Sequence, residues 1–189
     1  MFKRKTLNKL ALAVVLAIPF WDMILAYVTT PIRCDMWKNK RLDISLKKDE
    51  WSIMGGGDQI SLKDTRWIYY SKLFSDNDEM EKERKLFIYK NSLLYKESLM
   101  FENNEFWLSS LNSKYPNLGI YIHRNVKGFL GHDIIILYDN KLDRVIVKYN
   151  YIYGYYQVPF FNSNAGVYCS GESEKDFTKN RIFIQNYLN

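Results

Sequence analysis

The sequence predicts an α+β chain in which an N-terminal transmembrane helix precedes a single domain with a mainly antiparallel β-sheet and a C-terminal helix. Three observations carry that expectation. A basic start leads into a long apolar run, several mid-chain segments are rich in β-branched and aromatic residues, and the last stretch opens with a helix-start signature ahead of an apolar stripe.

The N-terminal element comes first. Lys3, Arg4, Lys5 and Lys9 precede a mostly apolar run from Leu10 to Thr30, interrupted by Pro19 and Asp22. About 20 helical residues cross a bilayer core of about 30 Å, whereas a cleavable signal has a shorter apolar run and a small-x-small cleavage site. Val15-Leu16-Ala17 is followed by Ile18-Pro19, and Ile24-Leu25-Ala26 lacks a small first residue. An uncleaved signal-anchor is therefore favoured over a cleaved signal or a buried cytosolic helix. Asp22, beside Trp21, is the odd residue, because a carboxylate at mid-bilayer costs about 2.5–3.5 kcal/mol. Either it pairs inside the membrane or it approaches an interface marked by Trp21 and Tyr27. Pro19 would kink the helix one turn earlier.

Charge alone leaves the orientation tied, since Arg33, Lys38, Lys40 and Arg41 after the run match the four bases before it. The basic leader and the even pair of cysteines favour a translocated C-terminal domain. The expected organisation is an anchor over residues 1–30 and an extracytoplasmic α+β domain over 31–189, with the chain single-pass in an inner membrane and its C-terminal domain in the periplasm.

Cys34 lies just beyond the apolar run and Cys169 near the other end, and only one intramolecular pairing is possible. Closing so long a loop would stabilise the fold by about 4–5 kcal/mol in the chain-entropy model and implies an oxidising compartment. The alternative is two unrelated thiols in a reducing cytosol. Neither cysteine forms a metal-ligand spacing with His123 or His132.

Composition excludes disorder, since 47% of residues are hydrophobic and there are 15 Tyr, 11 Phe and 5 Trp. The net charge of +6 is concentrated at the start: beyond residue 30 there remain 23 bases against 20 acids. They alternate along the chain without a dense basic stripe, so nucleic acid is not an expected partner.

Strands are predicted over Arg41–Leu46, Ile60–Tyr70, Lys85–Tyr89, Leu118–Arg124, Asp133–Tyr138 and Asp143–Tyr153. The last two form a hairpin around Asp139-Asn140-Lys141. In its second strand Val145, Val147, Tyr149, Tyr151 and Tyr153 share one face, and Arg144, Ile146, Lys148, Asn150 and Ile152 the other. Helices are predicted near Asp76–Lys85, Glu105–Leu111 and the C-terminus. There Ser173-Glu174-Lys175-Asp176 has capping-box spacing, and Phe177, Ile184, Tyr187 and Leu188 supply the stripe.

Chemistry-bearing patterns are sparse. Gly55-Gly56-Gly57-Asp58 lacks the Gly-Lys-Ser/Thr of a phosphate loop and reads as a hairpin turn. His123 and His132 have no recognisable nucleophile nearby. Glu97, Glu102 and Glu105 could form the carboxylate pair of a glycan hydrolase, although so many acids will place some close together by chance. Tyr149, Tyr151, Tyr153 and Tyr155 form a candidate binding surface, because tyrosine combines apolar area with a hydrogen-bonding tip; sheet packing is the plainer reading.

Phe20-Trp21-Asp22-Met23-Ile24, Tyr27, Cys34, the tyrosines of 151–155, and Cys169-Ser170 through Phe177 and Ile184 together carry a resemblance. The chain resembles small proteobacterial membrane-anchored proteins that open with a Phe-Trp-Asp-x-Ile-x-Gly-Tyr segment followed by a Cys. Those proteins carry a late aromatic-Gly strand and end with a Cys before a short helix. The likeness covers both ends and not residues 41–120, and Ala26 stands where the group has Gly. It implies that the two cysteines form one framework and that Trp21-Asp22 belongs to the type; it carries no catalytic residue.

The expected function is that of a membrane-tethered periplasmic binding or accessory protein, with an immunity protein against a periplasm-acting toxin as one concrete form. A cell-wall or surface-glycan hydrolase is the rival. No cofactor or metal is expected. The expected partners are the inner membrane and another protein, rather than nucleic acid or a small molecule.

Overall fold

In chain order the elements of the computed structural model are α1 (Arg4–Ala17), a 3-10 turn (Ile18–Phe20), α2 (Trp21–Trp37), β1 (Leu42–Ile44), α3 (Lys48–Ile53), β2 (Trp67–Tyr69), α4 (Glu79–Lys90), β3 (Ser98–Phe101), β4 (Asn104–Asn112), β5 (Leu118–Lys127), β6 (Leu130–Asp139), β7 (Arg144–Gln157) and β8 (Asn164–Tyr168). The structure describes residues 4–55, 67–70, 79–160 and 163–169.

Strands β4 to β7 form an antiparallel meander, and each outer edge is completed by two short strands. On one edge β2 pairs with the end of β4 and β3 with its beginning. On the other, β1 and β8 pair with successive parts of β7. The mainly antiparallel sheet is therefore as expected, and it supplies most of the core.

Strand alternation sends residues to two faces, and both are apolar. One, here the tyrosine face, carries Ile120, Ile135, Leu137, Val147, Tyr149 and Tyr151, packed under Leu46 and Trp51. The other carries Phe106, Leu108, Leu111, Tyr121, Ile136 and Tyr138, against which Phe87 of α4, Tyr70 and Tyr95 pack. A register shift at Leu137/Tyr138 puts one extra residue into β7. Val145 therefore packs with Tyr138 on the face opposite Val147, and Ile146 joins the tyrosine-face core. That corrects the placement of Val145 and Ile146 expected from simple alternation; Tyr149, Tyr151 and Tyr153 keep their common face.

The transmembrane helix is overturned. Pro19 cannot donate a backbone bond, and the apolar run breaks there into helices of 14 and 17 residues separated by the 3-10 turn. At 1.5 Å per residue these reach about 21 and 26 Å, short of the about 30 Å core. Among the described residues no helix is long and apolar enough to cross a membrane. The single-pass inner-membrane placement with a periplasmic domain falls with it. α2 runs across the expected boundary at residue 30 and is an integral part of the fold: Ala26 and Thr30 are fully buried against Gly154 of β7.

Three further local expectations change. Residues 105–111 form β4 rather than a helix: a register shift between Leu108 and Ser110 puts Phe106, Leu108 and Leu111 on one face, a spacing that imitates a helical stripe. Residues 85–89 lie in α4 rather than in a strand, with Phe87 turned into the core and the Asn91 side chain donating to the Phe87 carbonyl at 2.8 Å. Gly55 ends α3 with φ of +75°, a backbone that favours glycine, rather than opening a hairpin. Residues 56–58, the first part of the strand expected from Ile60, and the expected C-terminal helix over 173–188 lie outside the described residues.

A Cβ on Gly154 would overlap Thr30 Oγ1 and approach the Ala26 carbonyl oxygen to 3.2 Å. Gly154→Ala should therefore destabilise the protein by about 1–3 kcal/mol, the usual cost of overpacking. Thr30→Ala, which removes a buried hydroxyl with no hydrogen-bond partner among the described residues, should restore part of that loss in the double variant. Urea unfolding of the four proteins in the cycle measures both effects.

Candidate functional site

The tyrosine face is covered at one end and open at the other. Trp51 of α3 closes the end near Asp139: its indole Nε1 donates to Asp139 Oδ2 at 2.9 Å. Asp139 Oδ1 also accepts from Asn117 Nδ2 and from the amides of Lys141 and Leu142, which fixes the β6–β7 turn. Toward the ends of β4, β5 and β7 that meet near Arg124, the same face presents Trp107, Ile122, Arg124, Asp133, Tyr153 and Tyr168.

Register brings these residues together. Trp107 stands opposite Ile122, Arg124 opposite Asp133, and Asp133 opposite Tyr151. Tyr151 and Tyr168 stack with centroids 6.1 Å apart, and Tyr153 lies 5.4 Å from Tyr151. The Tyr153 ring covers Gly131, where a Cβ would clash with it, so the glycine is what allows the tyrosine to lie flat.

A polar line crosses this aromatic surface. The Tyr153 hydroxyl donates to Asp133 Oδ1 at 3.2 Å, and Arg124 Nε lies 3.9 Å from Asp133 Oδ2. Burial raises the Asp133 carboxyl above the ordinary aspartate value, while Arg124 and the Tyr153 hydroxyl act in the opposite sense. Burial also raises the Tyr153 hydroxyl above the usual phenol value, reinforced by the neighbouring carboxylate. Beside this line runs a groove of about 540 Å³ lined by Glu105, Trp107, Ile122 and Arg124 together with backbone-flanking Ser109 and His123. Trp107 is 49% exposed at its wall.

The opposite side of the same strands is held by α2. Cys34 and Cys169 are joined in a disulfide with Cα atoms 5.6 Å apart, across a sequence separation of 135. Arg33, next to Cys34, donates to the carbonyls of Gly131 and Tyr153, each at 3.2 Å, so one guanidinium bridges β6 and β7. Burial lowers its pKa from the ordinary arginine value. Because Tyr168 precedes Cys169, the bond that ties the end of β8 to α2 also holds Tyr168 against Tyr151.

The predicted candidates divide accordingly. Tyr149 and Tyr151 are buried in the core; Tyr153 and Tyr155 are partly exposed. Trp21 and Asp22 open α2 at its solvent side, where a carboxylate suits the N-terminal end of the helix dipole. His123 Nδ1 lies 2.8 Å from the Glu105 carbonyl, and His132 Nε2 lies 3.1 Å from Asn150 Oδ1 with its ring against Trp37. Both imidazoles are engaged in packing.

The three glutamates do not converge. Glu105 faces the groove, Glu102 pairs with Lys148 from the opposite face, and Glu97 bonds the Tyr70 hydroxyl on that same opposite face. Among the described residues no cluster of His, Cys, Asp or Glu could hold a metal ion. Trp107, Arg124, Asp133 and Tyr168 escaped the sequence reading, since only strand register reveals that they are neighbours. No protein-family description, curated protein or solved structure matches this chain.

Reducing the disulfide should lower unfolding stability by about 4–5 kcal/mol, because the denatured chain regains the freedom of a loop of this length. Urea titration with and without reductant tests it; an unchanged midpoint would contradict the role given to the bond.

Asp133 sets a pH signature. A carboxyl whose folded pKa is raised favours the folded state most fully below the unfolded aspartate pKa, and that contribution is lost as pH rises through the folded value. The stability difference between the native protein and Asp133→Asn should thus shift in favour of the variant across that window. Denaturation midpoints of the two proteins, taken from acid toward neutral pH, give the comparison.

Proposed function

We propose that this chain is a binding protein of accessory or immunity type that presents the open half of its tyrosine face to another protein. The observation that carries the reading is the half-exposed Trp107 beside exposed Arg124 on β4 and β5, in a sheet whose β6–β7 pair is clamped from behind by α2. Trp, Tyr and Arg dominate the energetics of protein–protein contacts, and they serve best where the backbone beneath them is already fixed. A buried carboxylate between Arg124 and Tyr153 adds a directional polar element to an otherwise apolar patch. The disulfide supports an oxidising compartment as the place of action.

The glycan-hydrolase reading draws no support from the geometry, since acid catalysis on a glycosidic bond needs two carboxyl groups flanking one site; the sheet separates Glu105 from the other two, and Glu97 and Glu102 are engaged with Tyr70 and Lys148. Genetic competition and pull-down test the binding reading together. Deletion should expose the cell to a toxin that co-purifies with this protein. Trp107→Ala and Arg124→Ala should each weaken that complex by about 2 kcal/mol or more while leaving the urea midpoint unchanged. No phenotype under competition, or full binding by both variants, would count against it.

A further inference from the structure

We infer that α1 and the outward side of α2 dock on an anionic lipid surface, lying at the boundary of headgroups and acyl chains without crossing it. α2 is apolar on two sides. Ala26 and Thr30 face β7, while Trp21, Ile24, Val28 and Ile32, spaced three and four apart, form a second stripe that is exposed. In α1 and the turn that follows it, Ile18, Val15, Val14 and Leu12 are all about 60% exposed, spread around more than one side of the helix. Among the described residues no strand packs extensively on α1. At the joint of the two helices Val14, Ala17, Ile18, Pro19 and Trp21 line a cavity of about 480 Å³ with Asp22 at its rim.

Charge identifies the occupant. α1 carries Arg4, Lys5 and Lys9 in its first turns, and Lys38 and Lys40 follow the end of α2, against Asp22 and Asp35 alone over the same stretch. A second copy of the chain would set these bases against their own kind, whereas an anionic headgroup layer neutralises them while its acyl chains receive the apolar stripe. The apolar part of α1, Leu10 to Ala17, is about 12 Å long, too short to cross a core of about 30 Å. Trp21, on that stripe, has the amphipathic ring that settles at such a boundary. This inference stands apart from the protein-binding reading, which concerns the tyrosine face.

The test is co-sedimentation of the oxidised full chain with phosphatidylcholine vesicles, with and without phosphatidylglycerol. Binding should require phosphatidylglycerol and weaken as salt is raised. Lys5→Glu/Lys9→Glu should lower the partition coefficient on the order of tenfold or more, and Val14→Ser/Val15→Ser should lower it comparably by removing inserted apolar area. Lys9, Val14 and Val15 are exposed, so an unchanged urea midpoint should accompany the loss in both double variants. Equal partition onto both vesicle types, no partition, or retention on vesicles through alkaline carbonate extraction would overturn the inference. So would a dimer in vesicle-free sedimentation that Val14→Ser/Val15→Ser abolishes.

Discussion

The attachment of α2 to the β6–β7 pair is the contact on which the rest of the molecule depends. Gly154 lets the helix approach closely enough to bury Ala26 and Thr30, Arg33 reaches the carbonyls of both strands, and Cys34 fastens the end of β8. Without that helix the far end of the face opposite the tyrosines would expose Ile152, which is fully buried. With it, the same strand pair is gripped from both sides: Arg33 bonds the carbonyls of Gly131 and Tyr153, and the Tyr153 ring lies over Gly131 on the other face. A side chain on the open surface is thus fixed by a helix it does not touch.

The sheet solves the problem of having two apolar faces with uneven cover. Leu46 and Trp51 close one end of the tyrosine face, and α4 with its neighbouring aromatics closes part of the other. The buried Asp139 carboxylate, satisfied by an indole, an amide side chain and two backbone donors, ties the first of these covers to the β6–β7 turn. Two register shifts, one in β4 and one in β7, adjust which side chains meet each cover.

Those shifts also explain how much was legible in the residues alone. β5, β6 and β7 were readable because long runs such as Ile134 to Tyr138 have no competing helical period, and the turn at Asp139 has its own chemistry. β4 was misread because its extra residue spaces Phe106, Leu108 and Leu111 like one side of a helix. The apolar N-terminal run was misread for a different reason. Hydropathy over the whole segment suits a membrane, but Pro19 divides it, and the second half spends one side on Gly154, a contact visible only in three dimensions. Of the candidate site, the tyrosines were found through their alternation in one strand; Trp107, Arg124, Asp133 and Tyr168 come from four other strands, and no local pattern links them.

The covalent bond between α2 and the end of β8 changes how the molecule would carry load. Everything from β1 to β8 lies within the ring that Cys34 and Cys169 close. A pull applied between α1 and the residues after Cys169 would therefore pass from α2 straight through sulfur to the far side, leaving the strand ladders outside the line of force. Equally, one cut in the backbone anywhere within that ring would leave a single molecule, still joined at its waist. In a setting where chains are tugged or nicked, the two ends of the tyrosine-bearing domain would stay joined until the bond itself is reduced.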